Sequence, residues 1–448
     1  MTTYNREPGY AMEIKFTLED HLKNYAEVDT NAKSLLETYH IIRGKMESNL
    51  RTIIIFFSSY SEHDQGHSER IISAIERLLG RKRIEKLTPA DTWMILVCAY
   101  MHDLGMIIQG KELEKDWQTD EFKAHIRKCM ESDDDELSEA AKRVSSINWT
   151  TSNLSWPVHI YRSVILLASE FYRTKHPERS MELPQRNKLK GALDALICGS
   201  KKIPRRIQKA IGKICYSHGI SFEEMLNYLE PVDSILDYVF HPRFVAALLC
   251  LGDLCDLDNG RFNDVAMESI GELTKNNLIH YFKHESVTLY LIDESAIFVN
   301  FDIQRRKIKN EIKNFLETKM FDDEDFRDFC DKVFLATQNW INWMINIIEN
   351  LKIHWNELFM NIESLSINLK YKILIDGAES VYSGKNLKFS FSNEKALELI
   401  EGYSLYNDEF IFIRELLQNS FDAVKKQFWN DILLGKWDYL LKHMQIDG

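Results

Sequence analysis

The chain of 448 residues has few cysteines and no long apolar run. Its seven cysteines form no Cys-x-x-Cys pair, and an odd number spread along the chain favours reduced core thiols over a disulfide framework. The closest two, Cys250 and Cys255, lie on an apolar stretch, where buried thiols are a better interpretation than metal ligands. The longest apolar runs, 93–101 and 244–251, are much shorter than the ~20 residues of a membrane-spanning helix, so we expect no membrane partner.

The amino-terminal residues, MTTYNREPGYAMEIKF, lack the apolar core of a secretion signal, and we therefore expect a cytoplasmic protein. A balance of 56 basic against 68 acidic residues, with a net charge of -12, argues against a protein whose whole surface follows a nucleic-acid backbone. A local basic patch is compatible with this charge. The composition, 45% hydrophobic and 28% charged, is that of a globular chain long enough for about three domains.

The first two thirds of the chain have the periodicity of helices separated by short polar turns. Residues 68–79 and 90–104 are predicted to be amphipathic helices. Beyond residue 261, the β-branched and aromatic runs at 287–292 and 296–301 are separated by Asp-Glu-Ser, which predicts a β-hairpin. Long helices follow, and from Leu365 the residues alternate again, which predicts the start of a new α/β unit.

Two His-Asp dipeptides occur, and one of them, His102-Asp103, ends the apolar helix WMILVCAYMHDLG. The other precedes a predicted helix. Two consecutive residues at a helix end project about 100° apart, and their ligand atoms reach one ion if the last turn loosens at Gly105. Such a pair forms half of a metal site. His67 and Asp253, each on another predicted helix, are suitable candidates for the remaining ligands.

The order of these residues and their flanking segments, GHSERII, YMHDLGM and LLCLGDLCDLD, resembles the HD-domain superfamily of metal-dependent phosphohydrolases. In that family, the first histidine, the His-Asp pair and the last aspartate bind a divalent ion inside a helical bundle. The resemblance gives these roles to His67, His102, Asp103 and Asp253. Imidazole and carboxylate ligands suit Mn, Fe, Co, Ni, Zn or Mg, and the sequence does not choose among them.

Two further histidines, His176 and His218, lie between the His-Asp pair and the last aspartate, near predicted helix ends. Some HD families place histidines of this interval on a second ion or beside the scissile phosphate, so the resemblance implies a catalytic role; ordinary surface or capping histidines are the alternative. Arg70, Arg173 and Arg179 each lie three residues from a candidate histidine. We expect bidentate contacts with phosphate from them, with structural ion pairs as the alternative.

Near the carboxyl end, the segment ELLQNSFDA places Glu415, Asn419 and Asp422 on one helix face. It closely resembles the first motif of the GHKL ATPases, and their heat-shock chaperone branch is the nearest likeness. The resemblance implies that Glu415 orients the attacking water, Asn419 holds the magnesium of ATP and Asp422 supports the nucleotide site. The next element of that family, an Asp-x-Gly-x-Gly turn, would lie beyond Gly448. We therefore expect Mg-ATP to bind only if the ATPase domain is completed; an exposed polar helix face is the alternative.

The expected fold class is mainly α: a helical HD-domain bundle with a β-hairpin insertion, followed by a partial α/β segment of the GHKL type. The expected boundaries are 1–44 for a helical amino-terminal extension, 45–350 for the HD domain with the hairpin at 287–301 and the long helices, and 351–448 for the incomplete ATPase-like segment.

The expected function is a metal-dependent phosphohydrolase acting on a nucleotide or nucleic-acid phosphoester and coupled to a chaperone-like ATPase module. This arrangement resembles prokaryotic anti-phage systems. The alternative is a non-catalytic HD module that senses a nucleotide and regulates the ATPase. A nucleotide or a short nucleic-acid strand is the expected partner, and the sequence leaves a homo-oligomer open.

Overall fold

The computed structural model describes residues 16–57, 64–146, 158–182, 196–197, 201–257, 274–315, 323–359, 364–365, 367–379, 420–421 and 424. The chain divides into two compact units, Met1–Ser380 and Val381–Gly448. The described residues of the second unit, Ser420, Phe421 and Val424, are helical and exposed.

The first unit is mainly helical, as the sequence predicts. Its α-helices are, in chain order, α1 (Leu18–Ala26), α2 (Thr30–Leu50), α3 (Ile54–Phe57), α4 (Gln65–Ile84), α5 (Pro89–Met101), α6 (Gly110–Asp116), α7 (Asp120–Met130), α8 (Asp135–Ser145), α9 (Val158–Glu182), α10 (Arg205–Tyr216), α11 (Phe222–Tyr228), α12 (Pro242–Leu254), α13 (Lys275–Glu285), α14 (Arg305–Phe315) and α15 (Asp323–Leu358). Its strands are β1 (Leu196–Ile197), β2 (Lys201–Lys202), β3 (Asp233–Ile235), β4 (Tyr238–Phe240), β5 (Val287–Ile292), β6 (Ala296–Ile303), β7 (Asn368–Ile375) and β8 (Ala378–Glu379).

Helix α5 is the centre of the bundle. It begins at a capping box in which the Thr88 side chain accepts the backbone N–H of Asp91 and the Asp91 carboxylate accepts that of Thr88. Every residue of α5 is buried, and α1, α2, α4, α10 and α12 pack around it. A helix that is apolar on all sides is stable only inside a core. The neighbours of α5 therefore hold its end, where the His-Asp pair lies.

The predicted hairpin is confirmed, because β5 and β6 pair antiparallel. The alternation that begins at Leu365 also forms a strand, β7, but this strand pairs in parallel with β6, with Ala296 opposite Asn368 and Ile303 opposite Ile375. The strand therefore belongs to the same sheet and the same compact unit as the hairpin. The long helix α15 returns the chain to this sheet, and the compact unit extends to Ser380.

The cysteines of the described chain are free and buried, in agreement with reduced core thiols. No single helix among the described residues is long and apolar enough to cross a bilayer, although one bent pair, Pro89–Met106 with Gly110–Asp116, has the necessary length and composition.

Candidate metal centre

Helices α4, α5 and α12 bring together the ligands of the predicted metal site. His67 lies in the first turn of α4, which Asp64 caps by accepting the backbone N–H of His67. His102 keeps helical dihedral angles at the end of α5, whereas Asp103, with φ of -95° and ψ of 10°, leads into a 3-10 turn at Leu104–Met106. The last turn thus loosens next to the His-Asp pair, as the sequence predicts.

The first ligand group consists of His67, His102, Asp253 and the Oδ2 atom of Asp103. The Nε2 atom of His67 lies 3.2 Å from Nε2 of His102, 3.4 Å from Oδ2 of Asp103 and 3.3 Å from Oδ1 of Asp253. Gly252 permits this approach, because a methyl group at its Cα would lie 2.8 Å from the Ile75 side chain on α4. These four side chains offer two nitrogen and two oxygen ligands, a set that transition-metal ions accept.

The second ligand group consists of His176, His218 and the Oδ1 atom of Asp103. The Nε2 atoms of the two histidines lie 2.8 Å apart, and Nε2 of His176 lies 3.7 Å from Oδ1 of Asp103. Asp103, His176 and His218 can each offer a ligand atom within 4.8 Å of the others. Asp103 therefore directs one carboxylate oxygen to each ligand group.

The hydrogen bonds of the imidazole rings determine which nitrogen faces the centre. In His102, His176 and His218, Nδ1 lies next to a backbone carbonyl oxygen three residues earlier in the chain, those of Ala99, Arg173 and Cys215, respectively. Because a carbonyl oxygen only accepts hydrogen bonds, Nδ1 carries the proton in the neutral form of each ring, and Nε2 then offers its lone pair. Nδ1 of His67 contacts Oδ2 of Asp256 and is a donor for the same reason.

Four imidazole lone pairs and the carboxylates of Asp103 and Asp253 thus converge in one buried region. Two lone pairs 2.8 Å apart, as in His176 and His218, repel each other unless a cation or a proton lies between them. The donor set therefore fits divalent metal ions.

The charge balance of the centre supports the same conclusion. Burial opposes a charge on His67, yet its hydrogen bonds to Asp103, Asp253 and Asp256 raise the pKa of this imidazole well above its usual value. The carboxylates thus attract a positive charge to this place. In contrast, burial and the neighbouring His176 and His102 lower the pKa of His218 to about 4, which keeps it in the neutral form that binds metal.

The ligands of the centre differ in their exposure to solvent. His67, His102 and Asp103 are buried, whereas the side chain of Asp253 is 30% exposed and that of His176 is 21% exposed. Each ligand group therefore has one partly exposed member.

Arg179 holds the turn that follows the His-Asp pair. Its guanidinium donates to the backbone oxygens of Gly105 and Ile107, at 2.7 and 2.8 Å, and to Glu112 at 3.0 Å. Ser180 adds a bond, because its hydroxyl accepts the backbone N–H of Gly105 at 2.8 Å. The segment of α9 that carries His176 is in this way fastened to the segment that carries Asp103.

The other two predicted arginines lie nearer to solvent. Arg70 donates from Nε to Oδ1 of Asp256 at 2.7 Å and its side chain is 36% exposed. Arg173 donates to Glu170 at 3.3 Å and is exposed to a similar extent. Ion pairs are present at all three arginines, and their contact with phosphate stays a prediction.

Asp256 is a residue that the sequence reasoning left out of the site. Its spacing from Asp253, one helical turn, is the signal in the sequence that could have indicated it. Glu415, Asn419 and Asp422 of the predicted ATPase motif lie outside the described residues.

In comparisons with known proteins, no curated protein and no solved structure matches this chain. A family model with the description HD-CE matches residues 57–324, more than half of the chain. The matched region includes all the candidate ligands, His67, His102, Asp103, His176, His218 and Asp253. The chain therefore belongs to the HD-CE family, and this region is an HD-type domain.

Proposed function

We propose that this protein is a metal-dependent phosphohydrolase that uses two divalent ions. The observation that carries the proposal is the convergence of four imidazole Nε2 atoms on a carboxylate, Asp103, that directs one oxygen to each pair of them. The HD-type family and the His/Asp clusters are compatible with a metal-dependent hydrolase.

The ligand groups differ in their number of donors. His67, His102, Asp253 and Asp103 would hold the first ion, and His176, His218 and Asp103 the second, with one protein ligand fewer. Bound divalent ions supply an acidified water and neutralise phosphate charge during in-line attack. Asp103 would be a ligand of both ions, and the imidazoles would favour ions that accept nitrogen ligands over those that prefer all-oxygen sites.

The substrate that we propose is a nucleotide, a cyclic nucleotide or a short nucleic-acid strand. Its phosphate would enter beside Asp253 and His176, the exposed members of the two ligand groups. Arg173, one turn before His176 and 37% exposed, is a cation on that helix for an incoming phosphate. The net charge of -12 favours a small substrate, because an acidic surface repels a long phosphate backbone.

We further propose that the hydrolase is coupled to a chaperone-like ATPase module in an anti-phage role. This part rests on the motif ELLQNSFDA, in which Glu415, Asn419 and Asp422 would serve Mg-ATP.

We expect Mn²⁺ to support turnover of at least one member of a panel of nucleotides, cyclic nucleotides and single-stranded oligonucleotides. A chelator should abolish this turnover, and added Mn²⁺ should restore it. The variant His102→Ala should lower the rate by roughly a thousandfold or more, since ion-assisted charge stabilisation contributes several kcal/mol. The matched control is His40→Ala, which removes an exposed histidine of α2.

Turnover that persists in chelator, or that is equal in the parent and in His102→Ala, would refute the proposal. A nucleotide that raises the melting temperature without being consumed would instead support a sensor function for this domain.

A further inference from the structure

We propose that Asp256 is the positioning residue of the first ligand group: held by Arg70, it fixes His67 in the tautomer that presents Nε2 to the ion. The inference rests on the proposed function, because it assumes that the first ligand group binds an ion. Asp256 would act through His67 and would not itself touch the substrate.

Asp256 lies just after α12 and uses both carboxylate oxygens. Oδ2 contacts Nδ1 of His67, and Oδ1 accepts the Nε–H of Arg70 at 2.7 Å. The Asp256 side chain is 1% exposed, and its backbone N–H donates to the carbonyl oxygen of Asp253, at 3.0 Å. The buried negative charge of Asp256 is stable because the N–H groups of His67 and Arg70 donate to it.

Three of the four histidines need no such partner, because a backbone carbonyl oxygen three residues earlier supplies one. Ala99 and Cys215 are among the last four residues of α5 and α10, whose carbonyl oxygens have no acceptor role within the helix. The carbonyl oxygen of Arg173 lacks its helical partner for another reason: the residue four positions later is Pro177, which has no N–H. His102, His218 and His176 each donate from Nδ1 to one of these three oxygens.

His67 lies at the opposite end of a helix. In the first turn of α4, the backbone carbonyl oxygens accept N–H groups of the turn that follows. A backbone acceptor for Nδ1 is therefore not provided by the geometry of α4 itself. The carboxylate of Asp256, from a different part of the chain, takes the place that a backbone carbonyl oxygen has at the other three rings.

Arg70 orients the carboxylate. Arg70 lies one turn after His67 on the same face of α4, so one carboxylate can bridge the two side chains. Because its Nε–H engages Oδ1, the other oxygen stays directed at His67. A carboxylate or carbonyl that holds the second nitrogen of a ligating histidine commonly contributes 10–100-fold to metal affinity, roughly, and we assign that role to Asp256.

The test is calorimetry of Mn²⁺ binding to metal-free protein, with one ligand group disabled at a time. In a His218→Ala background, which isolates the first ion, Asp256→Ala should weaken Mn²⁺ binding by about 10–100-fold. Asp256→Asn, which keeps an oxygen that can accept from Nδ1, should weaken it less. Arg70→Met should also weaken binding, and much less so when Asp256 is already alanine, because Arg70 acts through that carboxylate.

In a His67→Ala background, which isolates the second ion, Asp256→Ala should leave the affinity unchanged. A general structural role would lower the affinity of both ions. The control is Asp233→Ala, which removes the ion pair with Arg206 away from the centre and should change neither affinity.

Equal loss of both ions in Asp256→Ala, or no loss of the first, would overturn this inference. If the parent and the His218→Ala protein bind Mn²⁺ but Asp256→Ala binds it equally well, the proposed function stands and only the inference fails. A parent protein that binds no Mn²⁺ would overturn the proposed function and the inference with it.

Discussion

Asp103→Ala is expected to abolish the binding of both metal ions, a larger effect than the loss of any other single ligand. Oδ2 of Asp103 lies 3.0 Å from Nε2 of His102, and its Oδ1 lies 3.7 Å from Nε2 of His176. Removal of this side chain therefore takes an oxygen ligand from each group and the only carboxylate of the second. Hydrolysis should fall by roughly three orders of magnitude or more, the equivalent of about 4 kcal/mol in the barrier.

Two comparisons separate this effect from a general loss of structure. Asp253→Ala should lose the first ion and keep the second, because Asp253 faces only the first group. Asp233→Ala, a matched aspartate in an ion pair elsewhere, should keep both. Metal analysis of the three purified variants after dialysis measures the difference. Retention of a full complement of ions by Asp103→Ala would be incompatible with a shared carboxylate.

Gly105→Ala is expected to destabilise the protein and to weaken the second ligand group. A methyl group on Gly105 would overlap the backbone oxygen of His176 and lie 2.8 Å from Ser180 Oγ. Since backbone atoms cannot rotate away as a flexible side chain can, α9 must shift and carry His176 away from Asp103. We expect the free energy of unfolding to fall by roughly 1–3 kcal/mol, the usual cost of overpacking.

The control is Gly44→Ala on α2. Apart from the chain neighbours and the backbone of α2 itself, no atom lies within 4 Å of a methyl group at that position, and the residue is exposed. This variant should gain about 0.5–1 kcal/mol, because alanine loses less conformational entropy than glycine in a helix. Denaturant unfolding of both variants, together with the affinity for the second ion, gives the test. A Gly105→Ala protein as stable as the parent would show that α9 is not closely packed on this turn.

Much of the fold follows from local patterns. The helix over 68–79 lies within α4, and the hairpin has the strands that its β-branched runs predict. The parallel pairing of β7 with β6 could not be predicted from local patterns. It depends on where a helix of 36 residues returns the chain, and alternation alone does not specify a partner strand.

The candidate site, too, could be predicted only in part from the sequence. The ordered residues His67, His102, Asp103 and Asp253 meet because each lies at an end of a helix packed on the core: the start of α4 and the ends of α5 and α12. The contact between His176 and His218 depends on the packing of α9 against the turn after α10. No spacing in the sequence encodes this packing. The role of the His-Pro dipeptide at His176 also became visible only once the helix was known to continue through Pro177.

The measurement that tests the central claim most directly is anomalous X-ray diffraction from crystals grown with Mn²⁺, recorded at the manganese absorption edge. The account predicts two anomalous peaks on either side of the Asp103 carboxylate, one beside the Nε2 atoms of His67 and His102 and the other beside those of His176 and His218. A Mn²⁺-saturated crystal without a peak at either ligand group would contradict it.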